Sequence, residues 1–480
     1  MIRDRRCSAV EVLKAHLDQM EKHNPRLNAV VTIDAGSAMV RAQEADAALS
    51  RGEVWGPLHG VPMTIKDGFE TAGMRTTFGL SFLMNHVPEQ DATAVARLRR
   101  AGAVIFGKTN VPFACYDWQC KHPKFGRTNN PWDPNRTPGG SSGGPAAALA
   151  SGITPLELGS DVAGSIRVPC HFCGVAGIRT TEGGVSGAGA TRAPGYPRAL
   201  RNLFAAGPMA RTVKDLRLGL SIVWGPDRRD WVVPPVDLDR DDRPAELCGL
   251  RVAWCTELGG VPVSTEVKVV IDGLVSKLAD AGCVVEEAVP SDFDFPSALE
   301  AWGNIQGFES AALLPFPLRV PPLRWFPRFG ILRAMFGKGG FSRALSRGMT
   351  AGGRGYIEAL TRRDELVHAM DRFLEAWDVW ISPVASTTAF THRRTGKPID
   401  VDGRPVSYSQ AMGMYNCPSA LAANPIVVLP AGQTPSGLPV GVQIHGRRWS
   451  DARLLAIAER IEEVAGPVRP PIHLPAAVLP

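Results

Sequence analysis

The chain has 480 residues, of which 44% are hydrophobic and 21% charged, which are the proportions of an ordinary globular protein. Its 53 Lys and Arg residues are mixed along the chain with 47 Asp and Glu residues, so the net charge of +6 indicates a solvated surface rather than a nucleic-acid track. The sequence has no apolar leader and no run of about 18 apolar residues, and its nine cysteines are scattered. These features predict a cytoplasmic protein with reduced thiols.

Helix and strand patterns alternate through the chain. Helices are predicted where apolar residues recur at helical spacing, and strands where short apolar runs occur. In chain order these are helix 9–21, helix 92–101, strand 103–106, helix 145–151, strand 251–254, helix 264–281 with Ser264 as its N-cap, strand 284–286, a hairpin of strands 426–429 and 440–444, and helix 451–461. This alternation favours an α/β fold around a large mixed, mostly parallel sheet.

The most informative segment is rich in glycine and serine. Residues 139–169 read GGSSGGPAAALASGITPLELGSDVAGSIRVP, with Ser141 in the first serine–glycine cluster and Ser165 in the second. Glycine at this density indicates tight turns or close approach of the main chain to a ligand. Backbone N–H groups in such turns can point at a developing oxyanion, so both serines are candidate nucleophiles.

A serine nucleophile needs a base, and none of the ten histidines lies in these glycine clusters. A lysine can act as the base only when it is neutral, and burial away from carboxylates lowers its pKa. Lys66 follows the mostly apolar segment 61–65, which suits that role. If the segment is extended, the neighbouring Asp67 points to the opposite face and need not pair with Lys66.

Together, several segments resemble the amidase signature family: GVPMTIKD at 60–67, GKTNVP at 107–112, FGRTNNPWDPNRTPGGSSGG at 125–144, GSDVAGSIRVP at 159–169 and GLPVGVQIHGRR at 437–448. The resemblance runs from about Ser8 to Glu463. It implies one domain over residues 1–480, folded as a three-layer α/β/α sandwich. That domain would comprise a signature core at about 55–215, a variable substrate flap at about 300–350, and C-terminal strands and a helix at about 375–465.

The resemblance also implies a mechanism, amide hydrolysis through a serine acyl-enzyme without a metal or cofactor. Lys66 would be the base, Ser141 a relay held by a cis peptide bond after Gly140, and Ser165 the nucleophile. The oxyanion hole would consist of four backbone N–H groups, those of Val162, Ala163, Gly164 and Ser165.

Two positions depart from the family pattern. Ala163 stands where the family usually has glycine; it is strained if its φ is positive, and otherwise adds only a methyl group to the pocket floor. Arg179-Thr180-Thr181 replaces a common Lys-Pro-Thr sequence, which changes the outer support of the site.

Residues 313–341 form a segment rich in proline, aromatic and basic residues, without any acidic residue. In order of preference, it is interpreted as a mobile flap packed on the body, as an acyl- or aryl-binding lid, or as a cationic patch on a membrane surface. Further substrate-binding candidates are Gly139, Gly140, Tyr116, Trp118, Trp302 and Phe308. Their aromatic character favours a hydrophobic or aryl amide, anilide or carbamate over free glutamine.

Two other functions are compatible with this resemblance. One is the glutaminase-type subunit of a tRNA-dependent amidotransferase, and the other is a non-catalytic binding protein on the same fold. As partners we expect a small-molecule amide and no nucleic acid; a homodimer is compatible with the sequence, which does not fix the number of subunits.

Three short motif matches lack the context they require. Ser142 is central in a G-x-S-x-G match, but a loop rich in Pro and Asn precedes it where a strand should stand. Residues 102–109, GAVIFGKT, match a phosphate-binding loop, but their middle is apolar and predicts a strand. Residues 170–173, CHFC, carry metal-ligand types without a second pair, so we interpret them as core.

Overall fold

The computed structural model describes residues 1–191, 194–196, 198–238, 246–313, 339–469 and 471. Its helices are α1 Ala9–Leu27, α2 Ala35–Ser50, α3 Thr93–Arg100, α4 Gly143–Ala150, α5 Arg167–Cys173, α6 Val213–Val223, α7 Thr265–Asp280, α8 Phe295–Ala311, α9 Gly340–Thr350, α10 Gly353–Glu375, α11 Tyr408–Leu421 and α12 Asp451–Ala465. Its strands are β1 Val30–Ile33, β2 Pro62–Lys66, β3 Val104–Thr109, β4 Lys121–His122, β5 Gly126–Arg127, β6 Leu156–Asp161, β7 Ala176–Arg179, β8 Ala205–Ala210, β9 Arg251–Trp254, β10 Val284–Glu287, β11 Val379–Pro383, β12 Ile399–Val401, β13 Arg404–Val406, β14 Ile426–Gln433 and β15 Pro439–His445.

An eight-stranded mixed sheet forms the centre of the described structure, in the order β10-β9-β11-β15-β14-β7-β8-β6. The expectation of a mixed sheet is confirmed, but the expectation that it is mostly parallel is wrong. Only β10–β9 and β9–β11 pair in parallel, and the other five neighbouring pairs are antiparallel. The β14–β15 hairpin lies between β11 and β7, and β8 lies between β6 and β7, so strands that run in the same direction are separated by an antiparallel neighbour.

Helices cover both faces of this sheet, as the predicted three-layer α/β/α sandwich requires. One group joins α6, α7 and α12, with α12 and α7 packed on β14 and α6 on β8. The other joins α4 and α5, with α5 packed on β14 and β15, while α8 packs against α9, α10 and α11. A buried apolar core runs through these layers, because each strand and helix turns its apolar side to its neighbours.

The predicted elements are present, with shifted ends. Helix α1 extends beyond the predicted end and begins with a capping box, in which the Ser8 hydroxyl accepts the Glu11 N–H and the Glu11 carboxylate accepts the Ser8 N–H. Ser264 occupies the N-cap position of α7, but its hydroxyl makes no capping hydrogen bond. The Asp402 carboxylate instead accepts the N–H of Thr265 at 2.8 Å, so a distant loop supplies the cap.

A smaller three-stranded sheet, in the order β1-β3-β2, carries the segment of Lys66. Strand β2 is buried at all five positions and packs beside β6, so the C-terminal ends of these two strands lie near each other. The turn after β6 leads into α5, and the glycine-rich turn before α4 lies beside it, joined by a hydrogen bond from the Ser142 N–H to the Ser165 carbonyl at 3.0 Å. Residues distant in sequence thus meet at the edges of two sheets.

The predicted flap falls largely outside the described residues. Of the segment 313–341, the structure describes Leu313 and residues 339–341 only. The three interpretations of that segment and the internal boundaries of the domain therefore stay predictions.

Candidate active site

Lys66 lies at the end of β2, fully buried, and its amine is surrounded by serine oxygens. The Nζ atom is 2.8 Å from the Oγ of Ser141, 2.8 Å from the Oγ of Ser142, and 2.9 Å from the Oγ of Ser160. The Ser160 carbonyl lies 3.3 Å away. No carboxylate of the described residues forms an ion pair with Lys66, so its immediate contacts are neutral oxygens.

The electrostatic setting favours a neutral amine at Lys66. Burial lowers the pKa of the Lys66 ammonium, and the nearby Cys115 thiol and Asp161 carboxylate offset that shift only in part. Asp67 points away from this amine, as the extended segment predicts, and pairs with buried Lys108 at 3.6 Å. The adjacent carboxylate is thereby matched to another cation and does not hold a proton on Lys66.

Ser141 and Ser142 stand at the turn that leads into α4. The peptide bond between Gly140 and Ser141 is cis, as the family resemblance implies. Both hydroxyls bond to the Lys66 amine, although the sequence singled out only Ser141 as its partner. The structure therefore brings Lys66 and Ser141 together at hydrogen-bond distance, with Ser142 as a second contact.

Ser165 lies in the turn between β6 and α5 and is half-buried. It lines the same cavity as Ser141 and Ser160, together with Val162 and Ala163 of its own turn. Residues 162–165 are called the oxyanion loop below. The three predicted catalytic side chains thus converge on one site.

The oxyanion loop has fewer free N–H groups than the sequence suggested. The Gly164 N–H donates to Asp161 Oδ1 at 2.8 Å, so the assignment of Gly164 to the oxyanion hole is wrong. No acceptor for the N–H groups of Val162, Ala163 and Ser165 is found in the described part of the chain. Three of the four predicted donors therefore remain available to a ligand.

Asp161 and Arg167 form a buried ion pair beneath this loop. Arg167 Nη2 lies 2.9 Å from Asp161 Oδ1, and Arg167 Nε lies 3.0 Å from Oδ2, with both side chains fully buried. Although burial alone would raise it, the pKa of Asp161 is held well below its ordinary value, chiefly by Arg167. The carboxylate also accepts the Ile166 N–H at 3.0 Å, so one anion fixes both ends of the turn.

Arg179, at the first position of the departure from Lys-Pro-Thr, is a second buried cation near this anion. Its Nε lies 3.8 Å from Asp161 Oδ1, and its Nη atoms donate to the carbonyls of Ala420 and Asn424. Burial lowers its pKa to about 10. The outer support of the site is thus a guanidinium bound to backbone carbonyls.

The backbone at Ala163 decides between the two alternatives for that substitution. Ala163 is not among the residues with positive φ, so it carries no left-handed strain, and its methyl group only adds to the cavity wall. Gly164 has φ +93°, and a Cβ atom built there would lie 2.4 Å from the Asn416 side chain. Glycine is therefore required at position 164 and not at 163.

The cavity beside these serines is largely apolar and aromatic. It encloses about 1070 Å³ of empty volume, part of which is open to solvent. Tyr116, Trp118 and Trp302, three of the predicted substrate-binding residues, line it. Other apolar or aromatic residues in its wall are Phe78, Leu80, Leu200, Phe204, Leu313 and Phe341.

The other predicted substrate-binding residues do not line this cavity. Phe308 stacks on the ring of Tyr356, with centroids 4.4 Å apart, because it belongs to a different face of α8 from Trp302. Gly139 and Gly140 serve close packing instead: an added Cβ would lie 2.8 Å from Pro169 Cα and 2.4 Å from the Asp117 carbonyl, respectively. These three assignments are therefore corrected.

Sequence reasoning also missed residues that line the site. Ser160 contacts Lys66 although it belongs to a strand, and the only local signal for it is the GSD motif that precedes the oxyanion loop. Asp117 lies in the cavity wall and accepts hydrogen bonds from the hydroxyls of Thr395 and Tyr408. Burial raises the pKa of Asp117 to about 6, and those two donors limit the shift.

The rival motifs have other structural roles. Residues 104–109 of the GAVIFGKT match form strand β3, and the amine of Lys108 donates to the Phe69 carbonyl at 2.7 Å. His171 of the CHFC segment is buried in α5, where its Nδ1 accepts the Gly441 N–H at 2.8 Å and its Nε2 lies 3.2 Å from the Thr387 carbonyl. None of the helices in the described part of the chain has the length and apolar content needed to cross a bilayer.

Comparisons with known proteins agree with this geometry. The model of the amidase family matches residues 11–455. The A-type subunit of the glutamyl-tRNA(Gln) amidotransferase of Heliobacterium modesticaldum is 35% identical over 478 residues, which cover 96% of this chain and 94% of that protein.

Two solved structures share the fold. One comes from a vestigial protein complex that bears on the evolutionary origins of an s-triazine catabolic enzyme; it is 28% identical, covers 98% of both chains, and gives a TM-score of 0.81. A bacterial aryl acylamidase of the amidase signature family, 24% identical over 96% of this chain and 94% of its own, gives a TM-score of 0.82. The family match and the identity over nearly the whole chain show that this protein belongs to the amidase signature family and is an amide hydrolase.

Proposed function

We propose that this protein hydrolyses a hydrophobic or aryl amide, anilide or carbamate through an acyl-enzyme on Ser165. The observation that carries the proposal is the buried Lys66 amine, 2.8 Å from the Ser141 hydroxyl, at the wall of an apolar cavity that Ser165 also lines. A buried amine without a carboxylate partner can act as a base near neutral pH.

Acylation begins with proton transfers toward the lysine. Neutral Lys66 takes the proton of Ser141, which in turn takes the proton of Ser165, and the Ser165 oxygen attacks the substrate carbonyl carbon. The carbonyl oxygen becomes an oxyanion, for which the N–H groups of Val162, Ala163 and Ser165 are the available donors. As the carbon–nitrogen bond breaks, the Ser141 hydroxyl gives its proton to the departing amine and is reprotonated by Lys66.

Deacylation uses the same residues in the opposite direction. A water molecule gives a proton through Ser141 to Lys66 and attacks the acyl ester. When the second tetrahedral intermediate collapses, the Ser165 oxygen leaves and recovers a proton from Ser141. The carboxylic acid is released, and the enzyme returns to its starting protonation state.

The cavity wall supports an apolar acyl or aryl group. Among the described residues that line it, none is a lysine or arginine, and the one carboxyl group is that of Asp117. The α-carboxylate of free glutamine would need a cationic or N–H partner, since a buried carboxylate without one is strongly unfavourable. Aromatic faces such as those of Trp302 and Phe341 instead bury apolar surface.

The second candidate is the glutaminase-type subunit of a tRNA-dependent amidotransferase. Its support is the 35% identity to the amidotransferase protein from Heliobacterium modesticaldum over nearly the whole of both chains. A protein of this kind would hydrolyse glutamine and work in a stable complex with a partner. Under the first proposal the protein acts alone or as a homodimer on a small-molecule amide.

The test compares p-nitroanilides of increasing acyl length, acetanilide-type aryl amides and glutamine as substrates. We expect release of p-nitroaniline by the wild type, no release by Ser165→Ala, and wild-type rates for the control Ser221→Ala, an exposed serine in α6. Faster hydrolysis of glutamine than of any anilide would favour the amidotransferase function. Equal rates for the wild type and Ser165→Ala would refute Ser165 as the nucleophile.

A fluorophosphonate probe separates an enzyme from a non-catalytic binding protein. Only an activated serine is phosphonylated, so we expect the wild type and Ser221→Ala to become labelled and Ser165→Ala to stay unlabelled. A wild type that fails to label would contradict the proposed mechanism. Because no step uses a metal, a chelator should leave both labelling and turnover unchanged.

A further inference from the structure

Each of the first three carbonyl groups of the oxyanion loop accepts a hydrogen bond from outside the loop. The indole N–H of Trp302 donates to the Val162 carbonyl at 3.0 Å, and the indole N–H of Trp118 donates to the Ala163 carbonyl at 2.7 Å. The Val168 N–H donates to the Gly164 carbonyl at 2.8 Å. The mechanism above does not use either tryptophan.

These bonds fix the direction of the N–H groups on the same peptide planes. The cis bond after Gly140 is not in this loop, whose peptide units are trans, so each carbonyl points opposite to the N–H of the next residue. Holding the Val162 carbonyl therefore orients the Ala163 N–H, one of the available oxyanion donors. Holding the Ala163 carbonyl orients the Gly164 N–H toward Asp161, which accepts it at 2.8 Å.

We propose that Trp302 and Trp118 are positioning residues for the oxyanion loop, and that their indole N–H groups preorganise the Ala163 N–H for the tetrahedral intermediate. The inference rests on the proposed function. Preorganised donors act on the transition state because they need no reorientation when the oxyanion forms. The two tryptophans thus affect the chemical step through the backbone, without touching the reacting atoms.

Tryptophan suits this task because its N–H only donates and its large ring is held rigidly by packing. Trp302 is 1% exposed and Trp118 is 4% exposed. The ring of Phe341 packs against both, stacked on Trp302 with centroids 5.3 Å apart and tilted toward Trp118 at 5.5 Å. All three rings line the cavity, so the surface that receives the apolar substrate group also holds the oxyanion loop.

The test uses Trp302→Phe and Trp118→Phe, which keep an aromatic ring and remove the N–H donor. With the best p-nitroanilide, we expect kcat to fall about 10- to 100-fold, because small misplacements of catalytic groups have effects of that order. KM should change less than about threefold if the two states of the substrate differ only in the oxyanion. The control is Phe204→Leu, which alters the cavity wall but donates nothing to the loop.

A pair of inhibitors separates positioning from packing. A trifluoromethyl ketone with the acyl group of that substrate forms a tetrahedral adduct with an oxyanion, whereas the product carboxylic acid does not. We expect the tryptophan variants to lose about 10- to 100-fold in affinity for the ketone and little for the acid. Phe204→Leu should weaken both inhibitors by similar factors and leave their ratio unchanged.

Folding defects are controlled by β-(3-benzothienyl)alanine at position 302, which replaces the N–H by sulfur in a ring of the same shape. The same selective loss with this residue would support the inference. An unchanged ratio of the two inhibition constants in the benzothienyl and phenylalanine variants would overturn it and leave the proposed function intact. A wild type that forms no adduct dependent on Ser165 would overturn the proposed function and this inference with it.

Discussion

Replacing Asp161 by asparagine is expected to destabilise the protein and disable the oxyanion loop together. The carboxylate accepts hydrogen bonds from Arg167 through both oxygens, and from the N–H groups of Gly164 and Ile166. Asparagine keeps one acceptor and turns the other into an amide NH₂, which would face N–H donors. It also leaves Arg167 and Arg179 buried without an anion.

The size of the effect follows from that burial. Asp161 and Arg167 are both fully buried, and removing one partner of such a pair leaves an uncompensated charge, which costs about 3–5 kcal/mol. The matched control is Asp371→Asn, which breaks the ion pair with Arg448, whose side chains are 35% and 26% exposed for Arg448 and Asp371. An exposed pair of this kind contributes about 0.2–1 kcal/mol.

The assay is urea unfolding at pH 7, followed by fluorophosphonate labelling under native conditions. Because the folded pKa of Asp161 lies below its ordinary value of 3.8, its stabilisation is present above that pH and is lost as the pH falls further. The stability gap between wild type and Asp161→Asn should therefore narrow in acid. Equal small losses for Asp161→Asn and Asp371→Asn, or a gap independent of pH, would refute the reasoning.

Three more predictions follow from the structure. Because burial lowers the pKa of Lys66 and the neutral amine is the base, kcat/KM should rise with pH to a midpoint below the ordinary 10.5, whereas Lys66→Arg should lose about 100-fold or more; a flat profile from about pH 6 to 9 would contradict the lysine base. Gly164→Ala, whose Cβ would lie 2.4 Å from the Asn416 side chain, should lose more stability in urea than Gly437→Ala, which has a similar φ, open space and an expected loss of about 1–2 kcal/mol; equal losses would argue against the clash. Burial raises the pKa of Glu157 to about 8 from 4.5, so its stabilisation is present in acid and is lost as pH rises through about 8; Glu157→Gln should flatten the fall in unfolding free energy between pH 6 and 9, and a variant as pH-sensitive as the wild type would exclude this source.

The sequence by itself determined the family and the candidate catalytic side chains. Lys66, Ser141 and Ser165 stand in short motifs whose residue types limit the chemistry, because a serine among glycines with no histidine nearby needs another base. The alternation of a strand also predicted correctly that Asp67 points away from Lys66. These inferences succeeded because each depends on a few neighbouring residues.

Only the tertiary structure decided which groups surround those side chains. Trp302 donates to a carbonyl 140 positions away in sequence, and no local pattern marks it as different from Phe308, which packs elsewhere. The loss of the Gly164 N–H to Asp161 depends on how one turn folds over a buried carboxylate. Strand order likewise depends on which strand inserts between two others, so the mostly antiparallel pairing could not be derived from periodicity. Periodicity reports which face of an element is buried, whereas the partner of that face is set by long-range packing.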